Sequence, residues 1–462
     1  MFGANRQNPF IKIFSLILCF GAISVVSSQS NDSTLVSSAD ATPSAQSSLI
    51  IERIEIVGAT KTKPHVIHRY LSLKAGDPVT PQAIDRDYEA LTATHFFKQV
   101  EFSSKPGGAV GKVILVIEVV ERRWPWLEFA GGFSELEGWY IVPAGVRFDN
   151  TFGNGNIAGG RFIIGDRTGG FYLHFRQPQI FSSNFDLQLE AGSNSTDFIH
   201  YLSARDAIHR VDIGSGRIAL AGNRGLARYF SAGFRFNVAR PEAQYKIGDT
   251  TRTDFPPELA GQLAKKRINS FFTRLQVDTR DQTYFPHTGV WGALSLEAAN
   301  VWTANSSSAF ERTGDFRRLI FDARFYQPIG ANVFAVRAKA GLVSRAAPFY
   351  ERFYLGGAYS LRGFAERGMT PLGWGTELLL AQAEMRFPIA GDPQQPSLMA
   401  ALFFDAGRIE SADVLNEQNR FFTSTGAGFR VKVPIIGLLR CDFAYPLDRD
   451  DFRFHFALGQ TF

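Results

Sequence analysis

Few residues in this chain have the type and spacing that chemistry requires. His65 and His68 are three apart on a short helical stretch, with no third metal ligand nearby. Gly153-x-Gly155 with Gly159 is flanked by strand patterns and precedes no helix, so it is not a dinucleotide fingerprint. No Gly-x-Ser-x-Gly, His-Glu-x-x-His or phosphate-cradling loop occurs, and no catalytic residue, cofactor or metal is assigned. The one group whose setting invites specific chemistry is Arg362, in Leu361-Arg362-Gly363-Phe364. An arginine presents a planar fork of donors that suits a carboxylate, and the glycine after it lets the backbone pass close to a wall where a Cβ would clash.

The elements around Arg362 read as strands. From Trp124 onward, apolar and polar residues alternate over strand-length segments, and the chain carries 43 Phe and 43 Gly. After the leader no run of 18 or more apolar residues occurs, which excludes helical membrane spans. High aromatic content without long apolar runs suits a lipid-facing barrel, where only every second residue meets lipid. In the final segment Phe452, Phe454, Phe456, Leu458 and Phe462 fall on one face, for lipid, and Arg453, His455, Ala457 and Thr461 on the other, for the lumen. Gln460 interrupts the apolar row.

Sixteen strand candidates run from 125–133 to 452–462, with 184–192 followed by a long, poorly bounded segment at 198–221. Connections after even strands are short turns, such as 150–156, Gln177-Pro178, 327–330 and 434–437. The long connections, near 241–267, 300–316, 341–374 and 407–421, follow odd strands. Short periplasmic turns and long outer loops predict this asymmetry, and an even count puts the N-terminal domain and the C-terminus on the periplasmic side. Trp124, Trp126 and Trp139 are expected in an interfacial aromatic belt.

Residues 1–28 carry Arg6, Lys12 and an apolar run ending at Val26, the layout of a secretory signal peptide; Cys19 lies inside that run, behind Leu18. Only Cys441 follows it, so no internal disulfide is available. Net charge is +5 without long basic runs, which gives nucleic-acid binding no footprint. Residues 29–48 read as a flexible linker. Residues 49–121 then read as a β-α-α-β-β unit: a first strand with Ile51, Ile54 and Ile56; a helix from Pro64; a second helix capped by Thr80, with Ile84, Tyr88 and Leu91 as its apolar face; and two strands joined at Pro106-Gly107-Gly108.

That unit resembles a POTRA (polypeptide-transport-associated) domain. The resemblance rests on Ile54-Glu55-Ile56-Val57-Gly58, Leu73-Lys74-Ala75-Gly76-Asp77, Leu91-Thr92-Ala93-Thr94 running into Phe97 and Val100, and Val116 to Glu121. The remainder, 124–462, resembles the BamA-like, bacterial surface antigen superfamily of outer-membrane assembly and transport barrels. Four motifs carry this: Leu361-Arg362-Gly363-Phe364; Phe403, Asp405 and Gly407; Asp278-Thr279-Arg280-Asp281 with Pro286 and Gly289; and Phe454, Phe456, Leu458, Gly459 and Phe462. The resemblance implies a mostly β fold, a 16-stranded antiparallel transmembrane β-barrel with one N-terminal periplasmic POTRA domain, in the bacterial outer membrane. It also implies that Arg362 reaches into the lumen and pairs with Asp405, pinning its loop to the wall.

A closed barrel leaves no strand edge unpaired, so function at a seam needs weak closure. Pro125 cannot donate to a ladder, and Gly131, Gly132 and Gly459 weaken pairing, so the first and last strands are expected to part for an incoming strand. The function expected is assembly or insertion of client outer-membrane proteins without nucleotide hydrolysis, with the bilayer, unfolded clients and accessory assembly subunits at the POTRA domain as partners. The alternatives are a two-partner-type polypeptide secretion pore, whose members usually carry two POTRA domains and a plug helix, and a passive porin-like barrel.

Overall fold

The computed structural model describes residues 49–462 except 124, 135–137, 181–183, 203–204, 224–227, 248–249, 255–260, 284, 413–419, 434–436 and 461. The segments expected as a signal peptide (1–28) and a linker (29–48), Trp124 and most of the 434–437 turn lie outside the described residues, as does the side chain of Trp139.

The N-terminal domain has the expected order: β1 (Ile50–Val57), α1 (Pro64–His68), α2 (Pro81–Ala93), β2 (Phe97–Pro106) and β3 (Lys112–Glu121). Its sheet runs β1-β3-β2, with β1 parallel and β2 antiparallel to β3. Thr80 caps α2 by accepting the Ala83 N–H at 3.3 Å, and Pro81 occupies the first turn, where no N–H is needed. Ile51, Val66, Ile67, Leu91, Leu115 and Ile117 form the core. One expectation fails on α2: Tyr88 is 46% exposed, and Asp87 faces inward instead. Its carboxylate accepts the N–H groups of Ser72 (2.7 Å) and Leu73 (3.0 Å), so the inward stripe runs through 84, 87 and 91 and secures the turn beneath the helix.

The wall is formed by β4 (Trp126–Ser134), β5 (Gly138–Asp149), β6 (Ile157–Gly165), β7 (Thr168–Gln177), β8 (Phe185–Leu202), β9 (Arg205–Asn223) and β10 (Arg228–Ile247). It continues, after a three-residue strand β11 (Thr250–Arg252), through β12 (Lys266–Asp278), β13 (Gly289–Ala304), β14 (Phe310–Ile329), β15 (Asn332–Val343) and β16 (Glu377–Asp392). It ends with β17 (Gln395–Glu410), β18 (Phe422–Val433), β19 (Gly437–Pro446) and β20 (Arg453–Leu458). The strands close into a barrel in which each pairs antiparallel with its sequence neighbours, β20 meeting β4; β11 only lengthens the tip of β10. Leaving β11 aside, sixteen strands make the wall, as expected. Phe234, Phe271, Leu296, Phe404, Phe429 and Phe454 on the outer face are exposed, as a lipid-facing surface requires.

Strand bounds differ from the sequence reading in places. The 198–221 segment is not one strand: β8 runs on to Leu202 and β9 begins at Arg205. The connection expected at 300–316 shrinks to 305–309, because β13 and β14 extend as a paired hairpin to Ala304 and Phe310. The long outer connection that remains fully described is 344–376. At the other end of the barrel the turn 150–156 carries the N-terminal domain. The Lys63 N–H donates to the Gly153 carbonyl at 3.0 Å, and the buried Asn150 amide donates to Thr62 Oγ1 at 2.7 Å. Gly153 has φ +73°, and a Cβ there would lie 2.0 Å from the Lys61 carbonyl oxygen. Trp126 stands at this same junction, with the Arg122 guanidinium 4.1 Å from its ring centroid and His95 edge-on at 5.3 Å.

Candidate functional site in the lumen and at the closing seam

The connection 344–376 folds back inside the barrel. Its stem is tied by Arg352, which donates to the carbonyls of Ala347, Gly373 and Arg345 at 2.7, 3.1 and 2.6 Å. The bridge between Phe353 and Gly375 closes the base. From there Leu361 and Phe364 enter an apolar cluster with Leu355, Leu378, Leu380 and Phe422, all buried, which carries the loop tip against β16, β17 and the start of β18. Gly407 on β17 gives this packing its room, since a Cβ there would come within 3.0 Å of Leu355.

Between these apolar anchors Arg362 is fully buried. Its guanidinium meets Asp405 as a fork, Nε to Oδ2 at 2.7 Å and Nη2 to Oδ1 at 2.6 Å, and its backbone N–H reaches Oδ2 at 3.2 Å. It also lies over the Phe403 ring at 3.6 Å. Gly363 has φ +85°, and a side chain there would press on Ser424 and Pro446, so the backbone slides along the wall only as glycine. Its N–H donates to Nε2 of His455 on β20 at 2.9 Å.

Asp405 is not the whole partner set. Glu384 accepts Arg362 Nη1 at 2.6 Å, Arg430 Nη2 at 3.1 Å and Arg386 Nε at 2.9 Å. Arg430 in turn pairs with Asp442 at 2.7 Å, and Arg440 lies 3.4 Å from Asp442. Arg362, Arg386, Arg430 and Arg440 thus face Glu384, Asp405 and Asp442 in one buried array. Two of these arginines also reach main-chain oxygens: Arg440 donates to the Ala358 carbonyl at 2.7 Å and Arg386 to an oxygen of Phe462, the last residue of the sequence, at 3.0 Å. Such an array stands only with nearly every member paired, because an isolated buried charge costs several kcal/mol. Sequence reasoning named Arg362 and Asp405 and missed Glu384, Arg386, Arg430, Arg440 and Asp442. The available signal was a charge at every second residue inside a lipid-spanning strand, as in Glu384-Met385-Arg386 and Arg440-Cys441-Asp442.

The loop is held from other sides too. Glu351 accepts Arg235 of β10 and Arg318 of β14, each at 2.8 Å, and both arginines also pair with Glu297 of β13. Glu366 receives Arg167 at 2.6 Å.

At the seam, β20 is six residues long, and among the described residues its junction with β4 is the sparsest between neighbouring wall strands. Pro125 lies just before β4 rather than within it, so it interrupts no ladder bond. Gly131 and Gly132 are inside β4, opposite Ile141 and Tyr140 of β5, directly after a register shift between Glu128 and Ala130. Phe454 and Phe456 face outward and are exposed, whereas Phe462 does not. Gly459, at φ +83°, turns the chain out of the strand, and Phe462 is buried with Tyr326, Val333 and Ala335, its ring beneath the Arg386 guanidinium. The outward row expected through 462 therefore ends at Leu458, because the left-handed glycine breaks the alternation.

A lipid-facing barrel, a soluble domain docked on its periplasmic turn and a loop locked into its own lumen define a class of outer-membrane barrels that carry their own plug. The chain belongs to the Omp85 superfamily, whose domain model matches residues 150–462; a second model, the POTRA "surface antigen variable number repeat", matches 49–122. The outer membrane assembly factor BamA of Nitratidesulfovibrio vulgaris is 26% identical over 89% of this chain and 51% of its own length. BamA of Neisseria meningitidis serogroup B is 24% identical over 90% and 57%. The chain thus spans about half the length of these curated relatives. Among solved structures, BamA from Haemophilus ducreyi lacking POTRA domains 1–3 matches with TM-score 0.69 at 18% identity, covering 89% of this chain and 84% of that one. CdiB from Acinetobacter baumannii matches with TM-score 0.53 at 15% identity, over 89% and 73%. The barrel lies in the outer membrane with the POTRA domain in the periplasm.

Proposed function

We propose that this protein assembles or inserts client β-barrels in the outer membrane by offering them a strand edge where β4 and β20 meet. The observation that carries this reading is the unequal strength of the wall. Fifteen junctions are knit by strand ladders, while the sixteenth joins β4 to a strand cut short at Leu458. Parting that junction exposes few backbone groups, and an incoming extended segment can satisfy them by β-augmentation. The relatives named as assembly factors support the same reading. A passage through the lumen is disfavoured by the buried charge array, which threading would have to dismantle. Accessory subunits or extended clients would pair with the exposed edge β2 of the POTRA sheet, whose order leaves β1 and β2 at the margins. No catalytic step enters this scheme.

The test is reconstitution in liposomes with a urea-unfolded model barrel. Folding should be faster than in protein-free liposomes without any nucleotide. Equal folding rates together with steady ion conductance would indicate a pore instead.

A further inference from the structure

Tyr359 stands three residues before Arg362. Its hydroxyl touches the last strand. It donates to the Leu458 carbonyl at 2.7 Å and accepts the Leu458 N–H at 3.1 Å. The edge involved follows from the ladder. The Gly459 N–H points to the Leu438 carbonyl on β19 at 2.7 Å, and within one peptide plane N–H and C=O point opposite ways. The Leu458 carbonyl therefore points away from β19, toward β4, and the N–H of the same extended residue points with it; Leu458 and Leu439 face each other as a pair without mutual hydrogen bonds. Both groups lie on the seam edge, in the last residue before the chain leaves the wall.

We propose that Tyr359 is an internal cap on the β4-facing edge of β20 at its last residue: one hydroxyl stands where the peptide group of a neighbouring strand would bond, and an incoming client strand must displace it. One oxygen can do this because a hydroxyl carries one donor and two acceptor sites. The side chain is placed for the task by Arg440, which donates to the carbonyl of the preceding Ala358 at 2.7 Å and lies 5.0 Å from the Tyr359 ring centroid. The cap thus connects the lumen charge array to the seam. The capping geometry stands independently; the competition with clients rests on the assembly reading above.

Tyr359→Phe removes the one oxygen and keeps the ring, and heat-modifiable migration checks that the barrel still forms. In the full chain, hydrogen–deuterium exchange of peptides covering 453–460 should quicken roughly tenfold, the size expected for one lost hydrogen bond, with β17 peptides unchanged. Unchanged exchange at 453–460 overturns the cap. In liposomes with the urea-unfolded model barrel, the variant should accelerate client folding at least twofold over wild type. Wild-type acceleration that the variant fails to exceed overturns the competition. If wild type itself gives no acceleration, the assembly reading fails, and the exchange result alone decides the cap.

Discussion

Arg362 is held by two carboxylates at 2.6 Å and by an aromatic face, with no water-exposed surface. Arg362→Ala leaves Asp405 and Glu384 buried without their forked donor, and the loop should lose roughly 3–5 kcal/mol of anchoring. Trypsin should then cut within 344–376 in the variant while wild type resists, and Arg362→Lys, which keeps charge but not the fork, should fall between them. Glu121 offers a separate pH test outside the membrane. Burial would raise its carboxyl, yet hydrogen bonds from Thr60 Oγ1 and from the backbone N–H groups of Lys61 and Thr62 outweigh it and pull the group down to about 2. A folded value below the ordinary 4.5 means stabilisation present above that pH and lost as pH falls from about 4.5 toward 2. Exchange protection of residues 60–62, corrected for intrinsic rates, should collapse across that window and lose its pH dependence in Glu121→Gln. At this scale the sequence showed the arginine and one partner, because both lie in recognisable motifs. The other charges of the array are scattered over β16, β18 and β19, and only strand register brings them together.

Among the elements, the turn after β5 does more than reverse the chain. Asn150 accepts the Gly155 N–H at 2.7 Å through Oδ1 and donates to Thr62 through Nδ2, so one amide shapes the turn and grips the POTRA domain. Asn150→Ala should cost about 1–3 kcal/mol at this contact, and Gly153→Ala should disrupt it further by driving a Cβ into the Lys61 carbonyl. Both should appear as faster trypsin cleavage at Arg122-Arg123, with barrel migration unchanged. The turn itself was legible from its Gly and Asn content. Its docking was not, since nothing local records that a carbonyl ninety residues upstream occupies the missing Cβ's place. Strand limits were similarly opaque at 198–221, where β8 and β9 keep alternating well past the length a bilayer needs.

For the whole molecule, the strand number was readable because lipid imposes it: every second residue must be apolar, and the wall must close. The loop-length parity holds only in part, since 344–376 is long while 166–167 and 305–309 on the same side are shorter than the opposite turn 150–156. The sparse closure was not readable from Pro125 or paired glycines; it arises where Gly459 turns the chain inward. A disulfide engineered between β4 and β20 in a Cys441→Ser background should abolish client folding and restore it on reduction, whereas full activity while oxidised would sink the seam model. Taken together, the two boundaries of the cylinder have opposite mechanical character. Along the bore, motion means pulling apart ion pairs that are buried as they stand. Sideways, in the plane of the bilayer, it means unfastening one abbreviated strand. Under the proposed function, cargo that follows the softer coordinate leaves between lipids and never crosses the pore.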